Sequence, residues 1–226
     1  MRDLVQAVLF DMDGLMIDTE KYYWAAHRQI AAEHGKSVSD QTLGRMMGRS
    51  PIDSATVYAT ETGILLPPAE ILVQRDRLVI AMMRQRVDPM PHLLDILPML
   101  ARTFRLGIVT SATRPFVDVM LDSLGIRALF AALQTSEGIK NGKPDPEIYL
   151  SAMAKLGVSP RESAVLEDSS NGALAGKRSG ALTIAVPSEH TASQDFRFVD
   201  YVARDLLDAA KFILSHAGRD NSGERA

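Results

Sequence analysis

Along most of the chain, short apolar runs that end on polar residues alternate with segments of helical periodicity. The first run, residues 7–10 with Val5 ahead of it, stops at Asp11-Met12-Asp13-Gly14 and reads as a buried strand feeding a turn. Runs at 106–110, 131–135, 164–166 and 182–186 repeat the pattern, separated by helical stretches. That alternation predicts a parallel sheet of the α/β class. Helix punctuation agrees with it. Pro115 opens a helix that Gly125 closes, and Asp145-Pro146-Glu147 supplies a cap, a first-position proline and a first-turn acid to a helix ending at Gly157. Ligands of open parallel sheets sit at the carboxyl ends of the strands, so the polar residues after each run are the candidates for chemistry.

Between residues 17 and 87 the strand signal disappears. Tyr22, Ala26 and Ile30 share one face of a helix that stops near Gly35, and Ser50-Pro51 opens another that Gly63 closes. Pro67-Pro68 starts a third, through Ile71, Leu72, Leu78, Val79, Met82 and Met83, ending before Asp88-Pro89-Met90-Pro91. The expectation is an all-helical insert spliced in after the first strand, with domain limits of 1–16 and 88–226 for the α/β core and 17–87 for the insert. Linkers at 15–18 and 87–91 would let such an insert act as a lid. The tail 216–226 is polar and expected to fray.

Composition removes several function classes. The chain has 226 residues, of which 46% are hydrophobic and 23% charged, the profile of a globular protein. With Lys+Arg 25 against Asp+Glu 28, the formal charge of -3 offers no bulk positive field for nucleic acid or an anionic membrane. The absence of cysteine excludes disulfides, thiolate metal sites and a cysteine nucleophile. The N-terminal apolar stretch stops at Asp11, far short of a signal-peptide core or membrane span, so a cytoplasmic protein is expected, without nucleic-acid or membrane partners; nothing in the sequence demands a protein partner, and a monomer is the default.

Four segments fall at predicted strand ends: Asp11-x-Asp13-Gly14, Thr110-Ser111, Lys143-Pro144 and Glu167-Asp168. Paired carboxylates two residues apart suit a nucleophile and a general acid/base, and a further acid helps hold a hard cation. Lys143 and Ser111 suit a phosphoryl group. A carboxylate attacking an anionic phosphate meets charge repulsion, which Mg²⁺ and a lysine would neutralise. Each segment alone is ordinary, since Asp and Gly crowd turns and an acid pair can serve a helix dipole. Their joint order makes a site.

These segments resemble the haloacid dehalogenase superfamily, in order and spacing, from Val8 to about Val186. The resemblance implies a Rossmann-like α/β core with a helical cap and roles for particular residues. Asp11 would be the nucleophile that becomes an aspartyl phosphate, and Asp13 the acid/base. Ser111 and Ala112, in Val109-Thr110-Ser111-Ala112, would bind phosphate together with Lys143, which also neutralises charge. Mg²⁺ would be held by Asp11, the Asp13 carbonyl and Asp168, with Glu167 beside them. FDMDGLMIDTE, GKPDPEIY and LEDSSNG look most like β-phosphoglucomutase and the small sugar-phosphate phosphatases, whose cap is inserted after the first motif.

The resemblance also separates the branches. Dehalogenases lack the second Asp, which is present here as Asp13; phosphonate-cleaving relatives need a cap lysine, for which only Lys21 is near. In β-phosphoglucomutase a cap histidine, an arginine and a lysine serve a sugar bisphosphate; the corresponding places hold Tyr23, Pro51 and Met47. A Pro-Gly turn after the hinge is replaced by Pro91-His92. The expectation is therefore a Mg²⁺-dependent phosphatase acting on a small phosphorylated sugar or sugar alcohol, with a mutase, or a non-catalytic phospho-receiver, as alternatives. Arg49, which with Arg45 flanks Met46-Met47-Gly48 in an expected loop, and Tyr23 are the candidate cap contacts to substrate. Asp18 and Thr19 read as hinge and helix-cap residues, Tyr22 and Trp24 as packing, and His27 and His34 as surface.

Overall fold

The computed structural model describes residues 4–217, which divide into two compact units: residues up to Asp18 with those from Asp88 onward, and Thr19–Val87. The first unit is built on a parallel sheet. Its strands among the described residues are β1 (Ala7–Phe10), β2 (Arg105–Val109), β3 (Phe130–Gln134), β4 (Ser163–Glu167), β5 (Leu182–Ala185) and β6 (Tyr201–Val202), in the order β3-β2-β1-β4-β5-β6. The chain winds outward from β1 to β3 and then returns to place β4 on the other side of β1, so the strand order reverses at β1. A crevice forms at such a switch point, and β1 leads directly into the Asp11–Asp13 turn. Phe10 is in register with Ile108 on one side and Leu166 on the other, which aligns the carboxyl ends of β1, β2 and β4.

The second unit is helical: α1 (Glu20–Glu33), α2 (Asp40–Met46), α3 (Pro51–Thr62) and α4 (Pro68–Gln85). Tyr22, Ala26 and Ile30 are buried on α1, and Ile30 shares a core with Leu43, Ala55, Tyr58 and Ile71 from the other three helices. Each fully buried Ile or Leu side chain here contributes roughly 1.5–3 kcal/mol relative to its exposed state. Ser39 caps α2 by accepting from Thr42 N–H, and Ser50 caps α3 by accepting from Asp53 N–H. The helix α2 was not among the expected elements, although Ser39-Asp40 is a start signal, and it takes Arg45 out of the expected loop.

Around the sheet lie α5 (Leu93–Ala101), α6 (Arg114–Leu124), α7 (Glu147–Leu156), α8 (Ser170–Ser179) and α9 (Leu206–Leu214). Gly125 and Gly157 end α6 and α7 in the left-handed region, as expected. Pro146 sits one place earlier than expected, at the cap position; Asp145 Oδ1 accepts from Glu147 N–H over 2.9 Å and so starts the helix. The strands carry unbroken apolar runs because both faces are covered: every residue of β1, β4 and β5 is buried. Ala217 pairs with Val5 and His216 accepts from Val5 N–H, so the first two residues of the expected frayed tail are ordered; the remainder lies outside the described residues. No helix of the described residues is long and apolar enough to cross a membrane.

Candidate active site

The aligned strand ends bring the acidic motifs together. Asp11 N–H donates to Leu166 O over 3.0 Å, so Asp11 extends the sheet ladder by one residue and its side chain emerges beside β4. Glu167 is the last residue of β4, with Asp168 directly after it. Asp11, Glu167 and Asp168 are all buried, and one carboxylate oxygen from each lies within 4.8 Å of the others. Lys143, on the loop before α7, places Nζ 2.5 Å from Asp11 Oδ1 and 2.6 Å from Glu167 Oε1. The Tyr149 hydroxyl donates to the same Glu167 oxygen over 2.7 Å, while Ser169 donates through its backbone N–H and its hydroxyl to Glu167 Oε2. Glu167 thus holds Lys143 against Asp11 with both of its own oxygens occupied.

Two glycines make room for these carboxylates. Gly14 has φ +82°, and a Cβ there would collide with the Asp168 carboxylate. A Cβ on Gly172, in the first turn of α8, would fall inside the Glu167 carboxylate.

Three carboxylates face one ammonium in a buried space, so full ionisation would leave two negative charges uncompensated. Burial, then Glu167, push Asp168 up to about 7. Burial and Glu167 likewise raise Asp11 well above the carboxylate range, against the opposing pull of Lys143. Burial acts to lower Lys143, but Asp11 and Glu167 outweigh it and hold the ammonium well above its ordinary value. A cluster of buried oxygen donors with this excess charge fits a hard divalent cation. The Asp13 carboxylate is outside the cluster.

Asp13 is oriented from the neighbouring strand: Thr110 donates its hydroxyl to Asp13 Oδ2 over 2.8 Å and accepts from Ala112 N–H over 2.9 Å. Ala112, expected to contact phosphate, therefore has its N–H engaged by Thr110. Ser111 is exposed at the end of β2. Thr110, Tyr149, Ser169 and Ser188, whose hydroxyl lies 3.2 Å from Asp168 Oδ2, are site residues to which the sequence reading gave no role. The first three stand inside the quoted motifs, although only Ser169 directly follows a strand-end acid; Ser188 lies outside them.

In the helical unit, Arg49 is exposed and folds back on α2, its Nε donating to Arg45 O over 2.7 Å. Arg45 pairs with Glu61 instead of facing a loop. Tyr23 is half-buried beneath the Arg75 guanidinium, 4.8 Å from ring centre to charge. Trp24 packs against the helical core as expected, but His27, expected at the surface, is 4% exposed. His27 lies three residues before Ile30 and four before Ala31, on the apolar face of α1, and packs on the Tyr58 ring at 4.8 Å. Thr19 occupies the cap position of α1, yet its side chain makes no capping hydrogen bond.

The chain belongs to the haloacid dehalogenase-like hydrolase family, whose pattern it matches over residues 8–186, and it is a phosphatase. It is 30% identical over 225 residues to (DL)-glycerol-3-phosphatase 1 of Arabidopsis thaliana, covering 92% of this chain and 72% of that one. A phosphorylated carbohydrates phosphatase of Thermotoga maritima is 30% identical over 179 residues, 78% of this chain and 82% of the relative. The crystal structure of CbbY from Rhodobacter sphaeroides, in complex with phosphate, shares the fold with a TM-score of 0.79 at 24% identity, over 89% of this chain and 95% of that one.

Proposed function

We propose that this protein is a cytoplasmic, monomeric phosphatase that hydrolyses a small phosphorylated sugar or sugar alcohol, with Mg²⁺ bound, through an aspartyl phosphate on Asp11. The observation that carries the proposal is the placement of Lys143 between Asp11 and Glu167, at 2.5 and 2.6 Å, beside a cluster of three buried carboxylates. Asp11 and Asp168, with the Asp13 carbonyl, would hold the cation, and Glu167 would act through Lys143. Bound there, Mg²⁺ would neutralise charge on the carboxylate and the phosphoryl oxygens. Relatives named for glycerol phosphate and phosphorylated carbohydrates support the substrate class.

In the first half-reaction a carboxylate oxygen of Asp11 attacks phosphorus, the ester P–O bond breaks, and the leaving alkoxide takes the proton of the Asp13 carboxyl. The Thr110 hydroxyl donates to Asp13 Oδ2, so the transferable proton resides on Oδ1. In the second, water attacks the same phosphorus and gives its proton to Asp13, releasing inorganic phosphate and restoring the Asp11 carboxylate. Lys143 stabilises both, since its ammonium faces the carboxylate that gains and loses the phosphoryl group. Ser111 would bind the phosphoryl oxygens, and Arg49 and Tyr23 would contact the remainder of the substrate.

Phosphate release across hexose, pentose, deoxysugar and polyol phosphates, phosphoglycolate and pyrophosphate, with Mg²⁺ and with chelator, tests the proposal. Mg²⁺-dependent release concentrated on one sugar or polyol class is expected. Isomerised sugar phosphate without release would instead support a mutase.

A further inference from the structure

The loop after β5 reaches back to the site through Ser188 and Thr191, neither of which lies in any of the segments that carry the family resemblance. Ser188 Oγ lies 3.2 Å from Asp168 Oδ2 and 3.1 Å from Thr191 Oγ1, and Ser188 N–H donates to Thr191 Oγ1 over 2.9 Å. The direction of each hydroxyl proton follows from the donor inventory. Ser188 donates its single hydroxyl proton to Asp168 Oδ2, so the proton between the two hydroxyls must come from Thr191. Thr191, which is buried, is fixed in turn by the Ser188 N–H that it accepts. The relay runs one way, from Thr191 through Ser188 to Asp168 Oδ2.

On its other side the same carboxylate lies against Gly14, whose absent Cβ would meet Oδ2 before Oδ1. Oδ2 is thereby enclosed by a bare backbone and a donated hydroxyl, and Oδ1 accepts no hydrogen bond among the described residues. We infer that Ser188 is a positioning residue: it locks the Asp168 carboxylate so that Oδ1 faces the cation, with Thr191 setting the Ser188 rotamer. Orienting a metal carboxylate through a hydrogen bond to its other oxygen lowers the cost of ordering it on binding. The inference rests on the assignment of Asp168 as a cation ligand.

The test is direct titration of the metal-free protein with Mn²⁺, a spectroscopic stand-in for Mg²⁺, following free ion by electron paramagnetic resonance, for wild type, Ser188→Ala, Ser188→Thr and Thr191→Val. Ser188→Ala is expected to weaken binding about tenfold, the lower end of the effect of such outer hydrogen bonds. Ser188→Thr restores it, and Thr191→Val falls between. The thermal midpoints of the metal-free variants should match wild type, and the Mg²⁺ concentration for half-maximal phosphate release should rise with the Mn²⁺ dissociation constant. Unchanged Mn²⁺ affinity in Ser188→Ala overturns the role of Ser188. Thr191→Val with wild-type affinity overturns the relay by which Thr191 sets the Ser188 rotamer, and that arm holds even if Ser188→Ala does not fold. Failure of wild type itself to bind Mn²⁺ overturns instead the assignment of Asp168.

Discussion

The Thr110 hydroxyl donates to Asp13 Oδ2 over 2.8 Å, so a side chain from the end of β2 fixes the carboxyl expected to move protons for a nucleophile at the end of β1. Thr110→Val preserves shape and removes this hydrogen bond. Phosphate release from an alkyl ester should drop roughly tenfold, part of the 10²–10⁴ that a positioned acid/base supplies. Release from p-nitrophenyl phosphate, whose leaving group needs no proton, should change little. Equal losses on both substrates would separate Thr110 from proton transfer.

Lys143 compensates two carboxylates at once, so Lys143→Ala leaves Asp11 and Glu167 facing each other and an incoming phosphate without it. Its kcat/KM should fall by roughly 10²–10³. Tyr149→Phe removes only one of the donors to Glu167 and should cost much less. Steady-state kinetics on the preferred substrate distinguish the two, and a Tyr149→Phe defect as deep as that of Lys143→Ala would contradict the division of roles.

His92 is the non-glycine residue at positive φ, 68°, among the described residues, at the start of α5. The left-handed conformation costs an L residue about 1–2 kcal/mol, which exceeds the entropy that glycine adds to the unfolded chain. His92→Gly should therefore stabilise the core by about 0.5–1 kcal/mol in urea unfolding. Destabilisation would mean that the exposed His92 pairing with Asp95, 3.6 Å away, outweighs the backbone strain.

Burial, with Arg75 nearby, lowers His27 from 6.5 to about 4. Its Nδ1 faces Tyr23 O at 2.8 Å, its ring packs on Tyr58 of α3, and Nε2 is buried with no hydrogen-bond partner. The folded helical unit excludes the proton that the unfolded chain binds, so the stabilisation is complete above pH 6.5 and is lost as pH falls through 6.5 to about 4. The loss is on the order of 3 kcal/mol. Trp24, the single tryptophan, packs against this core and reports its unfolding by fluorescence. His27→Leu should remove that part of the acid dependence; an unaltered pH profile would contradict it.

The strands β1 to β5 were legible as short apolar runs, most completely β1, β4 and β5, in which every residue is buried, and the acids at their ends were legible because the motifs keep their order. What escaped had weaker local signals. β6 is two residues long and owes its place to pairing with β5, while α5 contains Pro98 and is apolar on most sides, which hides its period. His27 was misplaced because its residue type argued for the surface although its spacing from Ile30 put it on the buried face. Within the site, the acids and Lys143 stood out by type. The hydroxyls that orient them, Thr110, Ser169 and Ser188, did not, because a hydroxyl is informative only once the fold brings an acceptor near it.

The most direct measurement traps the phosphoryl group itself. Asp13→Asn, given acetyl phosphate and Mg²⁺, receives a donor whose leaving group needs no proton but lacks the base that activates water for the second step. Borohydride quenching followed by peptide mass spectrometry should then find Asp11 reduced to homoserine, at close to one per chain, and no modification in the presence of chelator or in Asp11→Asn. A reduced side chain at another Asp or Glu, or none anywhere while the wild-type protein still releases phosphate, would contradict nucleophilic attack by Asp11.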